Sequence, residues 1–343
     1  MANTGGASAW TAAVVCLLSL LGLEIVSRTV ITNRAAGPSA NQVAALDTAL
    51  RERTDPPAVI FLGGSHTQAG VAATRIEEQL GWPRGSILNA GLSNAGPRDV
   101  LRVYRANHAL LAQAKTAYVA VDVTYFNRNA LNRTSTPAPA WRRRATLADR
   151  LRFPGPLDTR VDLLAGWACN VWDQRTTWRQ ELIGLALGLR GTPRGARGSR
   201  LFDALGRPAM ARARAPLTTE ALTREIDEAV DRRMFSYDFD PESFESLDAL
   251  VRQLHDDGVQ VVLTEMPMPA HFRALLTERY AEPLARWESE MRRRYGRLEV
   301  LRFSGDGYGT EDFRDADHLS EHGALRLADA LAAKLRTHST PPR

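Results

Sequence analysis

The sequence predicts an α/β domain on a parallel sheet, preceded by one apolar helix. Three observations predict it: short unbroken apolar runs closed by glycine or proline, amphipathic stretches of helical period between them, and one long apolar segment at the N-terminus. Buried parallel strands read as continuous apolar runs, whereas half-solvated strands alternate. Strands that alternate with helices place helices on both faces of such a sheet.

The apolar segment comes first. From Ala9 to Leu23 the chain reads AWTAAVVCLLSLLGL, with Ile25 and Val26 beyond Glu24. Counted through Val26 it reaches the range of about 17–20 apolar residues that a bilayer requires. No Lys or Arg precedes it and no small-x-small cleavage site follows, so the expectation is an uncleaved transmembrane anchor over 8–27 rather than a signal peptide. Val15 stands before Cys16 where a lipoprotein signal needs a small residue. Arg28 and Arg34 follow the segment, a charge bias that taken alone leaves the rest of the chain in the cytoplasm.

Residues 28–52 read as a linker running into a short helix. PAVIFLGG (57–64) is the first strand, followed at once by Ser65 and a helical stretch to Gly81. SILNAGLSNAG (86–96) is a second strand and a Gly/Asn loop; the helix over 97–114 opens on Pro97, a favoured first position. TAYVAVDV (116–123) is the third strand. The pattern resumes with a helix over 243–258, a strand over 259–267 stopped by Pro267, helix over 271–295, a strand over 298–303 and a last helix over 321–335. Residues 130–235 depart from it. They hold a Pro-rich stretch, Arg142-Arg143-Arg144 and four of the seven tryptophans (Trp141, Trp167, Trp172, Trp178), and read as an insertion or lid within a domain spanning 53–343.

Composition narrows the function. The 343 residues are 44% hydrophobic and 24% charged with a net charge of +5, the profile of a folded globular protein. All the basic residues but Lys115 and Lys334 are arginine, and no helix gathers charge beside aromatics, so nucleic-acid binding is not expected. Two cysteines, Cys16 and Cys169, make neither a disulfide framework nor a metal cluster. No metal, nucleotide or other cofactor motif is present.

Two segments carry chemistry. Ser65, in FLGGSHTQAG, lies between the end of a strand and the start of a helix. Glycines there permit a sharp turn, and free N–H groups at the turn can hold an oxyanion. The same serine could equally be a plain helix cap. Thr67 and the lack of a Gly-Lys-Ser/Thr ending exclude a G-x-S-x-G elbow and a phosphate-binding loop. In FRDADHLSEHG (313–323), Asp315 and His318 are three apart, so on a helical turn they share a face. A carboxylate there fixes the imidazole tautomer and leaves the other nitrogen to accept a serine proton. Asp317 competes with Asp315 for this role, His322 is a weaker candidate, and capping by Asp317 or Ser320 is the structural alternative.

Together the two segments resemble the SGNH (GDSL-type) hydrolase superfamily, whose G-D-S block follows the first strand and whose D-x-x-H block precedes the last helix. Here these read Gly63-Gly64-Ser65 and Asp315-Ala316-Asp317-His318. The resemblance covers roughly 57–128 and 241–336. It implies a three-layer, flavodoxin-like parallel sheet and a Ser65, His318, Asp315 triad. The family's second block is matched by Asn89, Gly91 and Ser93, with Asn94 at the oxyanion-donor position and Gly96 two further on. Its third block, G-x-N-D, is not kept, and Asn127 in TYFNRN stands in as a later donor. His66 and Gly96 are candidate substrate contacts; the structural alternative for His66 is a solvent-facing residue of the first turn. The weak third block and N-terminal helix are similar to the membrane-anchored SGNH-like proteins of bacterial exopolysaccharide O-acetylation. That similarity implies an acylated carbohydrate substrate, a multi-pass membrane acyltransferase as partner, and a periplasmic domain on a single-pass anchor. The expected activity is ester hydrolysis or O-acetyl transfer. The alternative is a catalytically inactive polysaccharide-binding or acyltransferase-assembly protein.

Overall fold

A computed structural model of the chain describes residues 5–26, 46, 50, 53, 55–93, 95–129, 147–151, 157–169, 218–303 and 307–338. They form α1 (Gly5–Val26), β1 (Val59–Gly63), α2 (Ser65–Gly70), α3 (Ala73–Leu80), β2 (Ile87–Gly91), α4 (Pro97–Ala106), α5 (His108–Leu111), β3 (Thr116–Ala120), α6 (Leu147–Leu151), α7 (Leu157–Ala168), α8 (Thr219–Met234), α9 (Pro241–Asp256), β4 (Gln260–Glu265), α10 (Ala270–Arg279), α11 (Ala281–Tyr295), β5 (Glu299–Arg302) and α12 (Glu321–His338). Short 3-10 turns lie at Val123–Phe126 and Thr310–Asp312.

The chain divides into two compact units. One comprises 42–144 and 200–343 and carries the sheet. Its five strands are all parallel in the order β2-β1-β3-β4-β5. The apolar runs of β1 and β2 are buried along their whole length, as strands covered on both faces must be. Helix α12 packs on α3 and α2, and α9 packs on α4. Crossovers leave β1 in one direction to β2 and return past it to β3; with right-handed connections this sets the two helix groups on opposite faces. The strand order reverses between β1 and β3, and in such sheets the carboxyl ends at the reversal form a crevice.

Three helices expected as continuous are broken. The stretch after Ser65 divides at Val71-Ala72, the one after Pro97 at Asn107, and 271–295 at Tyr280. Asn107 breaks its helix by turning its amide back onto the Val103 carbonyl at 2.9 Å. Helix α8 falls within the expected insertion, yet it buries Leu222, Ile226, Ala229, Val230 and Met234 in the core of the sheet unit. Thr218 caps it, accepting the Ala221 N–H.

The other unit comprises 1–41 and 145–199. In it Arg150 donates to the Leu163 carbonyl at 2.8 Å, and Cys169 Sγ lies 3.5 Å from the Glu24 carboxylate. Among the described residues, nearly all the exposed large apolar side chains belong to this unit: seven from Val14 to Ile25, with Leu147, Leu151, Val161 and Trp167; Phe235 is the exception. The expected anchor is therefore a helix with apolar side chains turned outward, although among the described residues no helix is long and apolar enough to cross a membrane. Trp141, Trp172, Trp178 and Arg142-Arg143-Arg144 lie outside the described residues.

Candidate active site

The site is assembled at the carboxyl ends of β1 and β3. The chain leaves β1 through Gly63 and Gly64 and enters α2 at Ser65, which is partly exposed. Both glycines are required by close approach. A Cβ on Gly63 would collide with Thr67 Oγ1 and come within 2.7 Å of the Ala120 methyl, and one on Gly64 would collide with the Tyr125 hydroxyl. Gly91 is equally constrained, because an added Cβ would overlap the backbone of Gln68. Asn89 ties the turn down. Its buried Nδ2 donates to the carbonyls of Thr67 (3.1 Å), Gln68 (3.3 Å) and Val71 (2.8 Å), while its Oδ1 accepts the Gly91 N–H at 2.9 Å.

Asp315-Ala316-Asp317-His318 is not a helical turn, as the spacing suggested. It is a loop closed by the antiparallel bridge between Phe313 and Leu319. The Asp315 carboxylate shapes it by accepting the N–H groups of Asp317 (3.3 Å) and His318 (3.0 Å). The same oxygen, Oδ1, accepts His318 Nδ1–H at 2.7 Å, so the expected Asp–His pair is formed by different local structure. His318 Nε2 is buried and has no hydrogen-bond partner among the described residues. Ser320 caps α12, its hydroxyl accepting the Gly323 N–H at 3.2 Å.

Asp317 is the second carboxylate of His318, with Oδ1 3.1 Å from Nδ1. Its other oxygen, Oδ2, accepts from His66 Nε2 at 2.6 Å and from the Arg233 guanidinium. One buried carboxylate thus joins two histidines and an arginine, and the imidazole centroids stand 5.1 Å apart. His66 is not the solvent-facing first-turn residue of the structural alternative: only 4% of it is exposed, with Nδ1 3.3 Å from the Tyr125 hydroxyl and 3.6 Å from Asp122 Oδ2. Asp122 Oδ1 accepts the Thr124 N–H at 2.7 Å, which turns the chain out of β3; Oδ2 has no hydrogen-bond partner among the described residues.

The charges follow from these contacts. Burial alone would lower the His318 pKa, but Asp317 and Asp315 outweigh it and push it up to about 9. Burial would raise Asp317, yet Arg233, His318 and His66 hold it well below the usual carboxylate range. Asp315 is likewise held low against its burial, mainly by its hydrogen bond to His318. Burial, with Asp122 and Asp317 nearby, raises the Tyr125 phenol far above its ordinary value and keeps it protonated.

An expected oxyanion donor, Asn127, and an expected substrate contact, Gly96, are engaged elsewhere. Asn127 is fully buried and its amide is spent on structure: Nδ2 donates to the Arg233 carbonyl (2.7 Å), and Oδ1 accepts the N–H groups of Asn129 and Asp238 (3.1 Å each). It anchors the returning chain against β3, with its carbonyl oxygen and one amide hydrogen committed there. The Gly96 N–H is taken by Asp99 Oδ2 at 3.2 Å, the cap of α4. Asn94 lies outside the described residues. His66, Asp317 and His318 could each offer one ligand atom to a metal, but Asp317 is already neutralised by Arg233, which a cation would have to displace.

Sequence reasoning gave no role to Arg233, Asp122 or Tyr125, and marked Asn89 only as a match to the second block. Asp122 had a legible signal in its position at the end of a buried strand, whereas Arg233 had none, since its partner lies 84 residues away.

No family model matches the chain, and no curated protein matches it. Among solved structures it is similar to a protein provisionally named a platelet activating factor from Streptococcus pneumonia, at 11% identity and a TM-score of 0.40, over 94% of this chain and 99% of that one.

Proposed function

We propose that the chain is a serine esterase or O-acyltransferase of the SGNH type, acting on acylated carbohydrate. One observation carries the reading: His318 is clamped by Asp315 at Nδ1, presents an Nε2 with no partner among the described residues, and stands in the same cluster as His66, the residue after Ser65. Ser65 Oγ attacks the ester carbonyl carbon and its proton passes to His318 Nε2. The acyl C–O bond then breaks, and His318 returns the proton to the leaving alcohol. Water as acceptor completes an esterase cycle; a sugar hydroxyl completes a transferase cycle. The Ser65 N–H, at the open first turn of α2, supports the developing oxyanion.

The exposed apolar side chains of α1, α6 and α7 support attachment to a membrane, with the sheet unit on its periplasmic side and a multi-pass acyltransferase as neighbour. Membrane fractions washed at alkaline pH should retain the chain; its release into the wash speaks against the tether.

The test of the chemistry is hydrolysis of p-nitrophenyl acetate by the full chain in detergent, beside folded Ser65→Ala and His318→Ala variants. Activity abolished in both, with acetyl trapped on Ser65 by mass spectrometry, is the expected result. Wild-type turnover no faster than that of the variants would move the protein to the binding or assembly reading.

A further inference from the structure

We infer that the Tyr125 hydroxyl is the side-chain oxyanion donor of this site, occupying the role for which Asn127 was the sequence candidate. The inference rests on the catalytic reading of Ser65. It begins from the departure of Gly64 from the G-D-S block. A Cβ at residue 64 would collide with the Tyr125 hydroxyl, lie 2.9 Å from Tyr125 Cζ and lie 2.8 Å from the Ala95 carbonyl oxygen. The space beside the residue preceding the nucleophile is thus filled by a phenol from the turn after β3. The missing side chain at 64 and the tyrosine at 125 are complementary in space.

The hydroxyl is poised to donate. Its one hydrogen-bond partner given by the geometry is His66 Nδ1, at 3.3 Å, which is long for an O–H donor and correspondingly weak. Exchanging that partner for an oxyanion costs little, and a charged acceptor forms the stronger bond. His66 Nε2 is directed at Asp317, and in the tautomer that carries its proton there Nδ1 is the acceptor. Among the described residues the phenol has no other hydrogen-bond partner to leave, and its ring centroid lies 6.0 Å from that of His66. When Ser65 Oγ bonds to the carbonyl carbon, the carbonyl π pair moves onto oxygen and Tyr125 O–H donates to it. The proton stays on the phenol throughout.

Tyr125→Phe, in the full chain in detergent, removes only the hydroxyl. Losing one oxyanion donor should lower kcat about 100-fold with KM little changed, and weaken binding of a phosphonate transition-state analogue by the same factor as kcat/KM. The pH inflection assigned to His318 should stay in place, since Asp315 and Asp317 are untouched. A kcat within threefold of wild type overturns the inference. So does a fall in kcat that comes with a displaced inflection, which means that the hydroxyl acts only through His66 and Asp317. These outcomes are separable from failure of the catalytic reading: wild type active and Ser65→Ala inactive leaves only Tyr125 at issue, whereas an inactive wild type overturns both.

Discussion

If two carboxylates load one imidazole, the proposed ester chemistry should be slow at neutral pH and accelerate as the medium becomes basic. His318 must be neutral to accept the Ser65 proton, and its pKa is pushed up to about 9 from 6.5 by Asp317 and Asp315 against the opposing effect of burial. At pH 7.5 only about 3% of a group with that pKa is neutral. kcat/KM for p-nitrophenyl acetate should therefore climb close to tenfold per pH unit through the neutral range and level off near pH 9. Asp315→Asn keeps an oxygen at 2.7 Å from Nδ1 but removes one charge. The inflection should fall by about one unit, while the plateau falls because the imidazolium loses support. The same preference acts on folding. A raised histidine pKa contributes stability that is complete below about pH 6.5 and is lost as pH rises through about 9; the 2.5-unit difference corresponds to about 3 kcal/mol. The depressed Asp315 is the other side of the same pair, and its contribution disappears as pH falls through its lowered value. Stability should then peak between the two limits in thermal melts. An inflection in kcat/KM between pH 6 and 7, unmoved by Asp315→Asn, would refute the reasoning, for it would mean that neither carboxylate loads the base.

Asp317→Asn leaves Arg233 and two histidines around an uncharged amide in a site where Asp317 is only 3% exposed. The loss should be about 3 kcal/mol, read as a lower Tm, and Arg233→Met in the same chain should recover part of it. Asn127→Ala breaks three hydrogen bonds to backbone and should cost about 2 kcal/mol in denaturant melts, with kcat of the folded protein unchanged; a selective loss of kcat would return Asn127 to the site. Asn89→Ala removes a buried donor shared by the Thr67, Gln68 and Val71 carbonyls, of which Thr67 keeps the Val71 N–H, and should lower both Tm and kcat, because those carbonyls belong to the segment that follows Ser65.

The sheet was legible because burial on both faces writes itself locally, as runs such as VIFLG in β1 and VVL in β4. The pairing of Asp315 with His318 was legible because the two residues sit in one short loop. Geometry was less so. The three-residue spacing of Asp315 and His318 fits a helical turn, but Asp315 spends its carboxylate on two backbone N–H groups and makes a loop instead. Asn127 follows β3 at a distance that suits an oxyanion donor, and only the return of residues 236–239 alongside it reveals where its amide goes. Arg233 was invisible because a charge at the end of an amphipathic helix is ordinary in sequence; its significance lies wholly in the buried partner it meets.

The unit formed by 1–41 and 145–199 has a practical consequence for any attempt to obtain the protein without its N-terminal helix. A cut in the linker near residue 36 discards one contributor to that unit and keeps the other. The remaining stretch, with Leu147, Leu151, Val161 and Trp167 already turned outward, would be left as an orphaned half. Such a fragment should aggregate even though its sheet is intact, and the boundary that respects the architecture is a double one. Shortening 145–199 to a brief polar connector while removing 1–41 would excise the unit whole.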